Sequence, residues 1–297
     1  MSAAAPIRRP SSVSSAHPHV LARPLGLFGT LRRHRFLIAQ LTRREVIGRY
    51  RGSHLGIFWS FINPVLLLCI YTFVFKYVFN AKMTPGHPEE GWADFALFLF
   101  AALIVFNLFA ECLGRAPNLI LLNSNYVTKV VFPLELLPLT VVLGSLVHLL
   151  ISFVPLCLGA FISRDGHLHQ AVVLWPLLLV PITFWALAIT WIVAALGAFL
   201  RDLNEVMLAL TQILMYASAV FYSLAGLDQN KNVPDIVRTV IRLNPLVFFS
   251  EQSRNLVVWG MPMNWEAFGW VTLSGLVAMT MGYKLFMGVK QAFADVI

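Results

Sequence analysis

The chain has 297 residues, of which 58% are hydrophobic and 12% charged, with a formal net charge of +8 at neutral pH. Soluble globular domains run at about 45–50% apolar and about 25% charged, and disordered chains need low hydrophobicity, so both readings are excluded over most of the length. The three cysteines, Cys69, Cys112 and Cys157, stand far apart in apolar stretches without a CxxC pair. They read as small buried hydrophobes rather than as a disulfide or zinc set.

Residues 1–26 are rich in Ser, Pro, Ala, His and Arg and read as a disordered cytoplasmic tail; no apolar stretch of a cleaved signal precedes residue 26. Residues 27–51 read as an interface helix. Leu27, Leu31, Leu37, Ile38 and Leu41 share one helical face, Arg32, Arg33, Arg43, Arg44 and Arg51 the other, and Arg35 and Arg49 interrupt the pattern. A basic amphipathic helix ahead of a span lies in the membrane interface, either as a lipid anchor or also as a surface that docks a partner.

Six stretches then lack Asp, Glu, Lys and Arg: 52–75, 95–110, 136–163, 166–200, 206–227 and 267–283. Crossing the hydrocarbon takes about 20 helical residues. Four stretches suffice alone; Glu111 and Arg115 extend the second toward an interface, and Lys284 snorkels at the end of the last. The stretches do not alternate, which excludes barrel strands. The expected fold class is an all-α membrane protein with six transmembrane helices within residues 52–290. Residues 291–297 form a cytoplasmic C-terminus. Pro64, Pro155, Pro176 and Pro181 are tolerated where neighbouring helices satisfy the freed carbonyls.

An even number of spans places both termini on one side. Fifteen of the 22 Lys and Arg fall on that side and seven on the other, which predicts cytoplasmic termini. Orientation and anionic lipid account for the positive charge without nucleic acid. On the outer side, residues 228–262 suggest a hairpin of two short helices. Ile236, Val237, Val240 and Ile241 mark the first, Asn244-Pro245 breaks it, and residues 246–259 form the second. Such an interfacial or re-entrant hairpin is able to cap a path from outside.

Polar chemistry is scarce. Glu111 and Arg115 are four apart and pair locally. His148 stands alone in the third span, and His167 and His169 sit near Asp165 with no further ligand pattern. No GxSxG or HExxH occurs, and GxxxxGK[ST] is missing, so any ATP-driven work belongs to another chain. A membrane-embedded glycosyl- or acyltransferase lacks its catalytic cluster. A secondary carrier lacks buried ionisable groups and a three-plus-three repeat. Aromatic residues make up 13% of the chain. Many stand mid-span, where an interface belt does not apply; they read either as lipid-facing packing or as a path on which the apolar C–H faces of sugar rings stack.

Four motifs come in order along this topology: RYRGSHLGIFWSFINP at 49–64, NSNYVTKVVFPLELLPL at 123–139, FLRDLNEV at 199–206, and NPLVFFSEQSRNLVVWG at 244–260, followed by Ala294-Asp295-Val296. Over residues 28–297 the chain resembles the permease subunit of type-2 ABC exporters for polysaccharides. The resemblance implies a non-enzymatic homodimer that binds no cofactor itself. Each copy pairs with a separate ATP-binding subunit, which carries ATP and Mg. The cargo is a lipid-linked O-antigen, capsule or teichoic-acid-type polymer moved outward across the cytoplasmic membrane. It also implies a substrate channel at Phe58, Trp59, Phe61, Tyr71, Phe75, Tyr216, Phe221 and Tyr222. ATPase coupling falls to Arg43, Arg44 and Arg49, to Asn123, Asn125, Tyr126 and Lys129 of the 116–135 loop, and to Arg201 and Asp202. The outer gate falls to Asn244, Pro245 and Arg254. Leu134 departs from the family pattern, which often has a basic residue there. The main rival is a type-2 exporter of a lipid or drug.

Overall fold

The computed structural model describes residues 24–50, 59–78, 91–128 and 132–293. The tail through residue 23, Phe58, Lys129 and the 294–296 motif lie outside these residues, as do the side chains of Arg49 and Phe61. Among the described residues the chain is helical throughout, with no strand.

Helix α1 (Pro24–Arg33) begins inside the expected tail, with proline at the first position, where its missing N–H would have had no intrahelical partner. A break at His34 separates it from α2 (Arg35–Tyr50). On α2 Ile38 is buried, Leu37 packs against the core, Leu41 is half-buried, and Arg43 and Arg44 are exposed.

Helix α3 (Trp59–Thr72) runs into a π-helical turn, Phe73–Val78. Helix α4 (Trp92–Arg115) is the centre of the molecule. Every residue from 95 to 109 except Asn107 is buried, the signature of a helix that is apolar all round and surrounded by others. Packed on or near α4 are α3, α7 (Leu136–Ser163), α8 (Leu179–Gly197), α9 (Leu203–Ala217) and α12 (Pro245–Arg254). A 3-10 segment, Gln170–Leu178, leads into α8. Two short helices, α5 (Leu119–Leu122) and α6 (Ser124–Thr128), follow α4.

Among the described residues three segments are long and apolar enough to cross a bilayer: Trp92–Arg115, Leu136–Ser163 and Gln170–Gly197. Val65–Val78 and Leu203–Ala217 are shorter apolar helices. α13 (Trp265–Val289) has 25 residues, with Gly, Ser, Thr and Lys284 among its apolar ones. The apolar run 206–227 outlasts its helix, because α9 stops at Ala217 and Ala219 takes a left-handed φ of 53°. The carbonyls this frees are taken by side chains from the hairpin, described below.

α13 packs closely on α8. A Cβ at Gly282 would lie 2.8 Å from the Ala188 carbonyl oxygen, and one at Gly275 would lie 2.8 Å from the Trp185 ring. Trp185 Nε1 donates to the Val271 carbonyl at 3.1 Å. Small residues at a helix crossing allow this approach, which lipid cannot drive by the hydrophobic effect. Gly282→Leu is therefore expected to force α13 off α8 and to lower the thermal stability of the detergent-solubilised chain, as overpacking by about 1–3 kcal/mol does. Gly288→Leu, at a position where a Cβ meets nothing within 4 Å, is the control.

The hairpin between α9 and α13 contains α10 (Leu224–Gln229), α11 (Asp235–Leu243), α12 and a π-turn, Asn255–Trp259. Pro245 stands at the first turn of α12, and Asn244 caps it by accepting from Leu246 N–H at 3.0 Å. This is the break expected from Asn-Pro. Gly260 then takes a φ of 64° to end the turn, and a Cβ there would strike the His169 ring at 2.5 Å. Partial burial and the nearby Arg164 cation lower the His169 imidazole from its ordinary value.

Candidate functional site

Both α3 and α9 lie on α4, and this brings together aromatic residues far apart in sequence. Phe221 is the centre. Its ring stacks on Phe75 with centroids 4.8 Å apart, meets Tyr71 edge-on at 5.2 Å, and lies 5.5 Å from Tyr216. Beneath the cluster are Phe95, Phe98, Leu99 and Phe106 of α4. Tyr216 and Phe73 remain exposed. Of the expected channel residues, Tyr71, Phe75, Tyr216 and Phe221 thus form one patch. Tyr222 joins it through a hydrogen bond from its hydroxyl to the Tyr216 carbonyl at 2.9 Å. Trp59 is exposed at the start of α3, about 18 Å from Tyr71 along the helix, and is not part of the patch.

Arg254 fixes this patch. Its side chain is completely buried. Nε donates to the Phe98 carbonyl at 3.1 Å, one terminal nitrogen to the Tyr222 carbonyl at 2.9 Å, and the other to the Val220 carbonyl. The guanidinium lies 3.7 Å over the Phe98 ring and pairs with Glu251 at 3.4 Å. The residues on either side of Phe221 are therefore tied by one arginine to the first turns of α4 and the end of α12. Asn244 holds the preceding carbonyl, Ala217, at 3.1 Å. A planar fork with five donors suits several carbonyls at once. Of the expected gate residues, Asn244 and Arg254 thus anchor the hairpin to α4 and α9 from its inner side, and Pro245 shapes the turn between them.

Arg164, counted in the sequence only for its charge, is a second anchor. It follows α7 and donates to the carbonyls of Val257, at 2.9 Å, and Val258, in the π-turn. Trp175 stacks on Phe153 at 3.8 Å and donates to Ser253 Oγ, which donates on to the Ala101 carbonyl at 2.7 Å. The hairpin is thus tied to α4, α7 and the segment before α8.

At the opposite end of α4 the expected coupling residues divide. Arg44 donates to the Tyr126 hydroxyl at 3.0 Å, and Tyr126 stacks on Phe132 at 4.6 Å. Arg115 pairs with Glu111 at 3.4 Å, as its spacing implies, and also with Glu45. Glu45 is the only acidic residue in 27–51, a signal that the charge pattern of α2 had a fixed partner. Between α2 and α4 lies a cavity of about 600 Å³, lined by Gln40, Arg43, Arg44, Glu45 and Arg115. Asn123 closes α5 by donating to Leu119 O at 2.8 Å, and Asn125 is exposed. Arg201 and Asp202 are exposed at the start of α9, where the Asp202 carbonyl accepts from Glu205 and Val206. The 116–135 and 199–206 loops touch, with Asn118 Nδ2 donating to Asn204 Oδ1 at 3.2 Å, and at the end of α8 a Cβ on Gly197 would strike the Pro117 carbonyl. Among the described residues no group of three or more His, Cys, Asp or Glu is placed to hold a metal.

The model of the ABC-2 type transporter family matches residues 37–258. The O-antigen export system permease protein RfbA of Myxococcus xanthus is 32% identical over 218 residues, 73% of this chain and 78% of that one. RfbA of Klebsiella pneumoniae is 25% identical over 263 residues, 88% of this chain and 95% of that one. The polysialic acid transport protein KpsM of Escherichia coli is 24% identical over 262 residues, covering 86% and 94%. A match across three quarters of the chain, on a bundle of apolar helices, makes this a membrane protein that belongs to the ABC-2 type transporter family.

Proposed function

We propose that the chain is the membrane subunit of an ATP-driven exporter that moves a lipid-linked polysaccharide outward across the cytoplasmic membrane. In this reading six segments span the bilayer: α3 with its π-turn, α4, α7, the 3-10 segment with α8, α9, and α13. Both termini are cytoplasmic, two copies form the path, and a separate ATP-binding subunit supplies hydrolysis. The chain holds no cofactor; ATP and Mg belong to the partner.

The observation that carries the reading is the Phe221 patch, in a family member whose relatives include O-antigen and polysialic acid exporters. Sugar rings offer apolar C–H faces to such aromatics. Each contact is weak, so a polymer slides rather than binds. The exposed apolar faces of α3 and α9, including Leu66, Ile70 and Ile213, border the path. At the other end, α2 and α5–α6 receive the ATP-binding subunit. The Arg44–Tyr126 and Arg115–Glu45 contacts make α2, the 116–135 loop and α4 move together. The hairpin, anchored by Arg254 and Arg164, closes the outer exit.

Disrupting the gene in the source organism tests the cargo. The expected result is loss of a surface glycan with accumulation of its lipid-linked form inside the cell. Unchanged surface glycans and no internal accumulation would remove the polysaccharide reading. In the complex with its ATP-binding subunit, Arg43→Glu with Arg44→Glu is expected to lower ATP hydrolysis at least about five-fold, the size of one to two lost kcal/mol of contact. Hydrolysis assayed on the purified complex checks this, and full activity would place the ATPase contact elsewhere.

A further inference from the structure

Glu135 ends the 116–135 loop and begins α7, and its side chain is buried. Lys290 follows α13, more than 150 residues later, and its ammonium lies 2.6 Å from Glu135 Oε2. Two further contacts converge on the same point. Trp191 of α8 donates its indole N–H to the Glu135 carbonyl at 3.2 Å, and its ring meets Tyr283 of α13 edge-on at 5.2 Å. Just beyond, Phe293 packs on Phe286 and on Phe199 at the end of α8, with centroids 5.4 and 5.9 Å apart. One carboxylate thus joins the loop to the end of α13, which among the described residues has no broad contact with α2, α5 or α6; α8 meets the loop directly as well, through Gly197 against Pro117. An ion pair with one carboxylate buried is geometrically demanding, and removing one partner leaves the other charge poorly solvated.

We propose that the Glu135–Lys290 pair is a positioning element of coupling: it makes α13 and the C-terminal segment follow the 116–135 loop when the ATP-binding subunit moves. Without the pair the loop still docks, α8 stays in contact with it and hydrolysis continues, but the end of α13 no longer moves with it. This rests on the reading of the chain as a permease driven by a separate ATPase.

The experiment uses the full chain with its ATP-binding subunit. Surface glycan is measured in cells and ATP hydrolysis on the purified complex. Lys290→Met, at the more exposed member of the pair, is expected to lower export roughly five- to thirty-fold, while hydrolysis changes less than about two-fold. Lys290→Arg keeps the pair and retains export. Glu135→Gln behaves like Lys290→Met, and the exchange of Glu135→Lys with Lys290→Glu recovers most of the export lost by either change alone. The proposal is overturned if export, hydrolysis and thermal stability fall in parallel, which marks a plain stability role, or if Lys290→Met exports normally. Failure of the unaltered chain to co-purify with an ATP-binding subunit would instead sink the permease reading, before any variant is made.

Discussion

Arg254→Met is expected to unpin the outer hairpin and abolish export. Methionine fills much of the volume but donates nothing, so the carbonyls of Val220 and Tyr222 lose this partner in a buried site and that of Phe98 keeps only its helical N–H. Each orphaned carbonyl costs about 1–3 kcal/mol, and Glu251 keeps a charge without its cation. A net loss of about 3–5 kcal/mol corresponds to a fall of roughly 5–15 °C in the unfolding midpoint of the solubilised chain. Arg254→Lys preserves the charge and is the sharper test. A single ammonium on a flexible stem cannot reach three carbonyls in different directions while stacking on Phe98, so the lysine variant is expected to fall most of the way to the methionine one. Wild-type stability in Arg254→Lys would show that charge alone suffices and that the multiple tether is wrong.

Phe221→Ala tests the patch itself. It removes the ring that Tyr71, Phe75 and Tyr216 share. Aromatic pairs contribute about 0.5–1.5 kcal/mol each beyond their burial, so three lost pairs and a small cavity are expected to lower export at least about ten-fold. ATP hydrolysis in the complex should change less than about two-fold, because the patch lies at the hairpin end of α4 and the proposed docking contacts lie at the other. Phe221→Trp keeps a stacking face and is expected to retain export, and Trp59→Ala, outside the patch, to have the smaller effect. Equal export by Phe221→Ala and the unaltered chain would remove the stacking argument. Equal loss of export and hydrolysis would make the ring a packing residue.

Helix limits were legible where charge marks them. The apolar run 136–163 is the observed Leu136–Ser163 helix, bounded by Glu135 and Arg164, and both flanking charges are used as anchors. The run 95–110 lengthens to Trp92–Arg115 because Glu111 and Arg115 pair with each other and Arg115 with Glu45, which neutralises charge at the helix end. Where termination depends on partners remote in sequence, composition is blind. Residues 218–227 are as apolar as what precedes them, yet the helix ends because Ala219 adopts a left-handed conformation and Asn244 and Arg254 donate to the freed carbonyls. The joining of Tyr71 and Phe75 to Phe221 follows from α3 and α9 sharing α4, a tertiary fact the aromatic content suggested without locating. Glu135–Lys290 and Arg164 on the π-turn were invisible, since a lone charge beside an apolar run looks the same whether it faces water or a carbonyl.

In the proposed function, this membrane protein works through a separate ATP-binding subunit. The most direct test is to express the tagged chain from its native operon, purify it in mild detergent, identify what co-elutes, and assay ATP hydrolysis. The expected result is a stoichiometric ATP-binding subunit, two copies to two of this chain, with hydrolysis that falls at least about five-fold when Arg43 and Arg44 are both replaced by Glu. A chain that purifies alone in several detergents, with no hydrolysis from any co-eluting protein, would contradict it.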